Sequence, residues 1–124
     1  MRWPIIVWVC LWLLFSVPWT SATPVPQWEH VRPPRVRAQS RVRPDHVLNV
    51  LFYVPLVPLG ARLGYSLPGL VLAGATFSVV AEALQLFSLE RSPDGNDVIA
   101  NIGGTALGAG LVFITRRLRG AGRG

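Results

Sequence analysis

Four long apolar runs alternate with polar segments along the chain. They cover residues 3–19, 45–63, 67–88 and 98–115. A helix needs about 20 mostly apolar residues to cross the hydrocarbon core of a bilayer, so each run is near the length of a membrane span. The connections between the last three runs are short, which makes those helices antiparallel neighbours. The pattern predicts an all-α membrane protein, a small antiparallel bundle of four transmembrane helices, with a kink at Pro55 and Pro58.

Two interpretations of the first run stay open. Trp3 and Trp19 stand at its ends, as aromatic residues do at membrane interfaces, and small residues follow at 20–23. It is either a retained transmembrane helix, which we favour, or the apolar part of a cleaved signal peptide, which would leave three helices. The predicted organisation is an N-terminal helix or signal anchor (1–22), a Pro/Arg-rich loop (23–44), a three-helix membrane domain (45–116) and a basic tail (117–124).

Each of the last three runs carries a pair of polar side chains three or four residues apart. The pairs are Asp45 with Asn49, Glu82 with Gln85, and Asp97 with Asn101. Side chains at these spacings share one face of a helix. Antiparallel connectivity brings the start of the second run, the end of the third and the start of the fourth to one membrane surface. The sequence therefore predicts a single polar layer, and a polar pocket, near that surface.

Glu82 is the acid predicted to lie deepest in the membrane. A charged side chain at the bilayer centre costs about 2.5–3.5 kcal/mol on insertion scales, and less toward the surface. Glu82 should therefore face the bundle and meet a partner or water there. Arg91 is the obvious cationic partner, and His46 is a second candidate.

Turn and helix-start residues stand before the fourth run. The sequence Ser-Pro-Asp-Gly at 92–95 favours a type I turn, and Asn96 or Asp97 is expected to cap the next helix. The polar face of that helix continues through Gly104 and Gly108, a spacing of small residues typical of close helix packing.

Composition supports the membrane interpretation. The chain is 51% hydrophobic and 15% charged, whereas soluble domains average about 25% charged residues. The net charge is +6, and every basic residue is an arginine placed between or beyond the apolar runs, which is typical of membrane flanks rather than of nucleic-acid binding. The arginines divide equally between the two membrane sides. The signal-like N-terminus favours cytoplasmic termini and an extracytoplasmic polar layer.

The single cysteine, Cys10, excludes an intrachain disulfide and a multi-cysteine metal site, and we interpret it as a small apolar residue. The sequence holds no metal motif, phosphate-binding loop or activated nucleophile, so no metal and no cofactor are expected.

The polar residues also have a purely structural interpretation, in which they are helix caps and interhelical hydrogen bonds without chemistry.

The same residues resemble the VanZ-like family of bacterial membrane proteins over residues 45–110. The resemblance rests on Asp45, Asn49, Phe52, Pro55, Gly60, Glu82, Gln85, Arg91, Asp94, Asp97, Asn101, Gly104 and Gly108. It implies a multi-pass protein of the cell envelope, and the family is named for a protein associated with resistance to the glycopeptide teicoplanin. Its pattern coincides with the polar layer derived above.

Four functions stay open at this point. The pocket formed by Asp45, Asn49, Glu82, Gln85, Arg91, Asp97 and Asn101 could bind a lipid headgroup, a cell-wall precursor or a glycopeptide, without catalysis. Alternatively, the chain is an intramembrane enzyme that acts on a lipid-linked substrate with Glu82 as general base. Proton- or ion-coupled transport and a scaffold role complete the set. The oligomeric state is not predicted.

Overall fold

A computed structural model describes residues 2–19, 21–32 and 44–122 of the chain. These residues form α1 (Trp3–Ser16), α2 (Pro44–Tyr53), α3 (Leu56–Arg62), α4 (Leu67–Gln85) and α5 (Gly95–Ala121), with a short 3-10 helix at Trp28–His30. Because α2 and α3 share the second apolar run, the described residues place helix on each of the four apolar runs, as the pattern predicts. Half of the predicted Pro/Arg-rich loop, residues 33–43, lies outside the described residues.

The second run is broken into two helices rather than kinked within one. Helix α2 ends at Tyr53 and α3 begins at Leu56, with Pro55 between them. Proline has no backbone N–H, so Pro55 and Pro58 cannot donate to the carbonyls one turn earlier, at Leu51 and Val54. The two missing donors fall in adjacent turns and end the helix at this point.

Helices α4 and α5 are long and apolar enough to cross a membrane, with 19 and 27 residues, and α1 is a shorter apolar helix of 14 residues. Helix α4 ends three residues before the predicted end of the third run. Helix α5 exceeds the fourth run at both ends and continues through Arg116 and Arg117 to Ala121. Its length of about 40 Å is greater than the hydrocarbon thickness of about 30 Å. The cationic end can therefore leave the apolar layer.

Helix α1 packs into the bundle through two tryptophans. Trp8 and Trp12 are each 4% exposed and form a core cluster with Tyr53, Leu56 and Ala81. The Trp8 Nε1–H donates to the carbonyl of Phe52 at 2.8 Å, and the Trp12 Nε1–H donates to the Tyr53 hydroxyl at 3.0 Å. Each buried indole N–H thus has a partner, so α1 is part of the core.

Helix α5 lies against α2, α3 and α4. Gly104 faces the carbonyl of Val50, and Gly108 faces the carbonyl of Val54, so closely that a Cβ at either position would collide with backbone. The Val54 carbonyl is one that Pro58 cannot satisfy. The small residues therefore allow α2 to approach the α5 backbone.

The outer surface of the bundle is apolar along every long helix. Exposed side chains include Leu14, Leu72, Val79, Leu107, Leu111, Ile114 and Leu118. Soluble monomers seldom expose contiguous apolar surface beyond a few hundred Å². The exposed apolar surface and the two long apolar helices are consistent with a membrane protein.

Residues 21–32, which we call the strap, return from α1 and pair with the loop between α4 and α5. The backbone N–H of Leu89 donates to the carbonyl of Ser21 at 2.9 Å, and the N–H of Gly95 donates to the carbonyl of Arg32 at 2.8 Å. The strap thus joins the loop at both ends and fixes its position relative to α1.

Candidate functional site: a polar cavity at one end of the bundle

A cavity of about 580 Å³ opens where α1 and α4 end and α2 and α5 begin. Its volume lies within the range of small-molecule sites, about 300–1,000 Å³. All seven residues of the predicted polar pocket line it: Asp45, Asn49, Glu82, Gln85, Arg91, Asp97 and Asn101. The antiparallel order of the helices and the spacing of each polar pair bring these side chains to one place. Gly104 and Gly108 lie deeper, in the α2–α5 contact.

Glu82 is the buried acid of this cavity. Its side chain is on the last turn of α4 and the residue is 9% exposed. Its Oε2 accepts the backbone N–H of Asp94 at 2.7 Å, which links the end of α4 to the start of α5. Among the described residues, none forms an ion pair with it. The carboxylate is therefore held in position by a neutral donor.

The expected ion pair between Arg91 and Glu82 is wrong. The Arg91 guanidinium instead donates to the carbonyl of Phe15 at 2.5 Å. Phe15 is in the last turn of α1, where carbonyl groups have no intrahelical donor and the helix dipole attracts cations. The strap holds the loop beside this helix end, so Arg91 reaches α1 and remains exposed.

The alternative pairing of Glu82 with His46 is also wrong. The His46 Nε2 lies 3.4 Å from Asp97 Oδ1, with both side chains about one-fifth exposed. His46 is in the first turns of α2 and Asp97 in the first turn of α5. This pair therefore connects the two helices that begin at the cavity.

Asn101 forms the floor of the cavity and is 3% exposed. Its Nδ2 donates to the Oγ of Ser78 on α4 at 3.0 Å. Its Oδ1 is buried and has no hydrogen-bond partner within the described part of the chain. A buried acceptor without a partner costs about 1–3 kcal/mol of stability. A ligand that donates a hydrogen bond to this oxygen would remove that cost.

The start of α5 differs from the predicted turn. Asp94 is the N-cap: its Oδ1 accepts the N–H of Asn96 at 2.9 Å, so the caps predicted at Asn96 or Asp97 are wrong. Its backbone is extended, at φ −128° and ψ 118°, which excludes the type I turn. The backbone is extended there because Arg32 of the strap pairs with Pro93 and Gly95 on either side.

The family model described as VanZ/LLP1 matches residues 4–116. The chain belongs to the VanZ/LLP1 family. Searches of curated proteins and of solved structures gave no match. The match begins at residue 4 and so includes α1, whereas the sequence pattern limited the resemblance to residues 45–110.

The VanZ/LLP1 cavity also has walls that the sequence reasoning did not assign to it. Trp12, Phe15 and Ser16 of α1 line it, and Arg32 enters it from the strap. The aromatic residues near the end of α1 could have indicated this wall, because aromatic side chains commonly form the apolar walls of ligand sites. Arg32 had no such signal, since its position depends on a long-range backbone pairing.

The cavity lining carries more negative than positive groups. It contains five carboxylates, two guanidinium groups and one imidazole: Asp45, Glu82, Glu90, Asp94 and Asp97; Arg32 and Arg91; His46. Within the described ranges, no three His, Cys, Asp or Glu residues are placed to hold a metal ion. The arrangement can bind a polar group by hydrogen bonds and charge, beside an apolar wall.

Proposed function

We propose that this VanZ/LLP1 chain is a multi-pass membrane protein of the bacterial cell envelope that binds an envelope component in its polar cavity. The observation that carries the proposal is the cavity floor. It combines a buried carboxylate that has no ion pair and a buried amide oxygen that has no partner within the described residues. Burying either group without a partner costs the folded protein free energy. A bound ligand can supply a positive charge to the carboxylate and a hydrogen-bond donor to the amide oxygen.

The remaining lining residues divide by chemistry. Asn49 and Gln85 are half-buried amides that can hydrogen-bond a ligand from α2 and α4. Arg91 is exposed and can meet an anionic group. Trp12 and Phe52 offer apolar area. Such a site needs no nucleophile, which agrees with a binding function.

We further propose that both termini are cytoplasmic, which directs the cavity to the extracytoplasmic side. There it can meet lipid headgroups, cell-wall precursors or a glycopeptide such as teicoplanin. A glycopeptide is larger than a typical small-molecule ligand. Only one part of it could enter 580 Å³, so a lipid or a precursor fits the cavity better.

Mass spectrometry of the purified protein tests the proposal. The chain is extracted from membranes in a mild detergent, and retained small molecules are identified from native protein ions. We expect one bound molecule, lost or reduced at least tenfold in Glu82→Gln. Glu29→Gln is the matched control, because Glu29 is an exposed acid of the 3-10 helix outside the cavity. Retention of the same molecule by Glu82→Gln would overturn the proposal.

An intramembrane enzyme is the second candidate, and the observation in its favour is again Glu82. A carboxylate beside a ligand cavity without a cationic partner can act as a general base. The same experiment separates the candidates. A binding protein releases its ligand unchanged, whereas an enzyme converts added lipid extract to a new product that Glu82→Gln does not form.

A further inference from the structure

We infer that the cavity recognises an amphiphile whose head carries a primary ammonium group next to a phosphate, as an aminoethyl phospholipid does. The inference rests on the proposed function and names the ligand class of the same site. Three parts of the cavity carry it: a floor of acceptors, a mouth with two arginines, and an apolar wall that continues to the outside of the bundle.

The floor requires a ligand that donates and that is positive. Ser78 and Glu82 are one turn apart on one face of α4, and Asn101 bonds to Ser78, so the Asn101 amide and the Glu82 carboxylate lie on the same side of the cavity. A hydroxyl or amide could donate to Asn101 Oδ1 but would bring no positive charge to Glu82. An ammonium has three N–H donors and a positive charge, so it satisfies both groups.

The mouth has two arginines that can hold an anion, beside acids that also line the cavity. Arg32 and Arg91 are exposed and line the cavity, whereas Glu82 and Asn101 are buried. Arg91 uses one N–H for the Phe15 carbonyl, and a guanidinium has five in a planar fork that matches a phosphate. A head with its ammonium inside and its phosphate at the mouth fits this order of charges.

The wall allows an apolar tail to leave sideways. Phe15 and Leu48 line the cavity and are largely exposed, at 58% and 64%. Phe52 belongs to α2, and its ring lies against the ring of Phe15 of α1, with 6.3 Å between centroids. An acyl chain can therefore pass from the head along apolar surface into the membrane.

Thermal unfolding of the full chain in detergent tests the inference with four probes. They are dihexanoyl-phosphatidylethanolamine, dihexanoyl-phosphatidylcholine, dihexanoyl-phosphatidylglycerol and free phosphoethanolamine. The choline head is charged but has no N–H, the glycerol head has no amine, and phosphoethanolamine has no tails. A ligand that binds only the folded state raises the melting temperature as its concentration passes its Kd. We expect the ethanolamine lipid to bind about tenfold or more tightly than each other probe.

Substitutions assign the preference to the cavity. Glu82→Gln should remove the preference for ethanolamine over glycerol heads, and Glu29→Gln should keep it. Arg91→Gln should weaken the binding of the ethanolamine and glycerol phospholipids equally, because both carry the phosphate. If Glu82→Gln does not fold, Gln85→Lys serves instead: it puts an ammonium on the cavity wall one turn from Glu82 and should block the ethanolamine lipid, whereas Gln27→Lys, outside the cavity, should not.

The outcomes separate the inference from the proposed function. Equal binding of choline, glycerol and ethanolamine lipids, all weakened by Glu82→Gln, overturns the ammonium assignment and leaves a lipid-binding cavity. A shift as large with phosphoethanolamine alone overturns the amphiphile and indicates a soluble head group. Binding of every lipid that is insensitive to Glu82→Gln and Gln85→Lys overturns both the inference and the proposed function.

Discussion

At the scale of single residues, three of the buried polar side chains in the described ranges lie between α4 and α5. Ser78, Asn101 and Thr105 are each at most 3% exposed. Thr105 satisfies its hydroxyl within its own helix, at the carbonyl of Asn101. Ser78 and Asn101 bond each other across the two helices. This bond joins α4 to α5, so a change of either residue acts on the contact between those two helices.

Ser78→Ala should weaken the bundle by about 0.5–2 kcal/mol, the range of interhelical hydrogen bonds in membrane proteins. The change removes the acceptor of Asn101 Nδ2 and leaves the whole amide without a described partner. Denaturant unfolding in detergent measures the effect. Thr76→Val is the control, because the Thr76 hydroxyl is exposed and bonds only the carbonyl of Leu72 in its own helix. Equal stability of the two variants would contradict the role given to Ser78.

At the scale of elements, glycine occurs on α5 both where the helix contacts α2 and where it faces open space. Gly104 and Gly108 face backbone carbonyls of α2 and its break, whereas Gly103 and Gly110 have open space around a Cβ. The difference is one of neighbours, since all four lie within one helix. Glycine is required at the first pair by close approach, and at the second pair it only lowers helix propensity.

Gly104→Ala and Gly108→Ala should each destabilise the fold by about 1–3 kcal/mol, because the new methyl group meets backbone that cannot move without displacing α2. Gly103→Ala and Gly110→Ala should be neutral, or stabilising by up to about 1 kcal/mol. Melting temperatures in one detergent compare the four variants. Similar effects of the two pairs would contradict the α2–α5 contact.

The polar layer could be predicted from sequence because helical periodicity sets which side chains share a face. Asp45 with Asn49, and Asp97 with Asn101, needed only their spacing and the antiparallel order of the helices. The partner of Arg91 could not be predicted in this way. It depends on the strap, whose backbone hydrogen bonds join residues far apart in sequence and carry no periodic signal.

At the scale of the whole molecule, α1 determines whether the cavity is closed on one side. Trp12 is both a core residue and part of the cavity lining, and Trp8 packs on Phe52 with 5.4 Å between ring centroids. Without α1, Arg91 would lose the Phe15 carbonyl, and the strap would no longer connect the bundle to a helix on this side. The helix is therefore part of the bundle and of its cavity.

We accordingly expect α1 to remain in the mature protein. A chain with an N-terminal epitope tag should keep the tag in membranes at full length. A chain that begins after Trp19 should accumulate poorly, because Tyr53 and Ala81 would lose the indole rings that bury them. Immunoblots with N- and C-terminal tags measure both. A C-terminal product shorter by about 20 residues, with normal abundance, would show that α1 is a cleaved signal.

The most direct measurement of the central claim is the access of water to the cavity. In a Cys10→Ala background, single cysteines replace Gln85 on the cavity wall, Leu89 in the exposed loop and Leu72 on the apolar outside of α4. Intact cells are treated with a membrane-impermeant thiol reagent. The account predicts labelling at positions 85 and 89 and none at 72. Labelling at 89 without labelling at 85 would contradict a water-open cavity, and labelling at 85 and 89 only after lysis would contradict its extracytoplasmic placement.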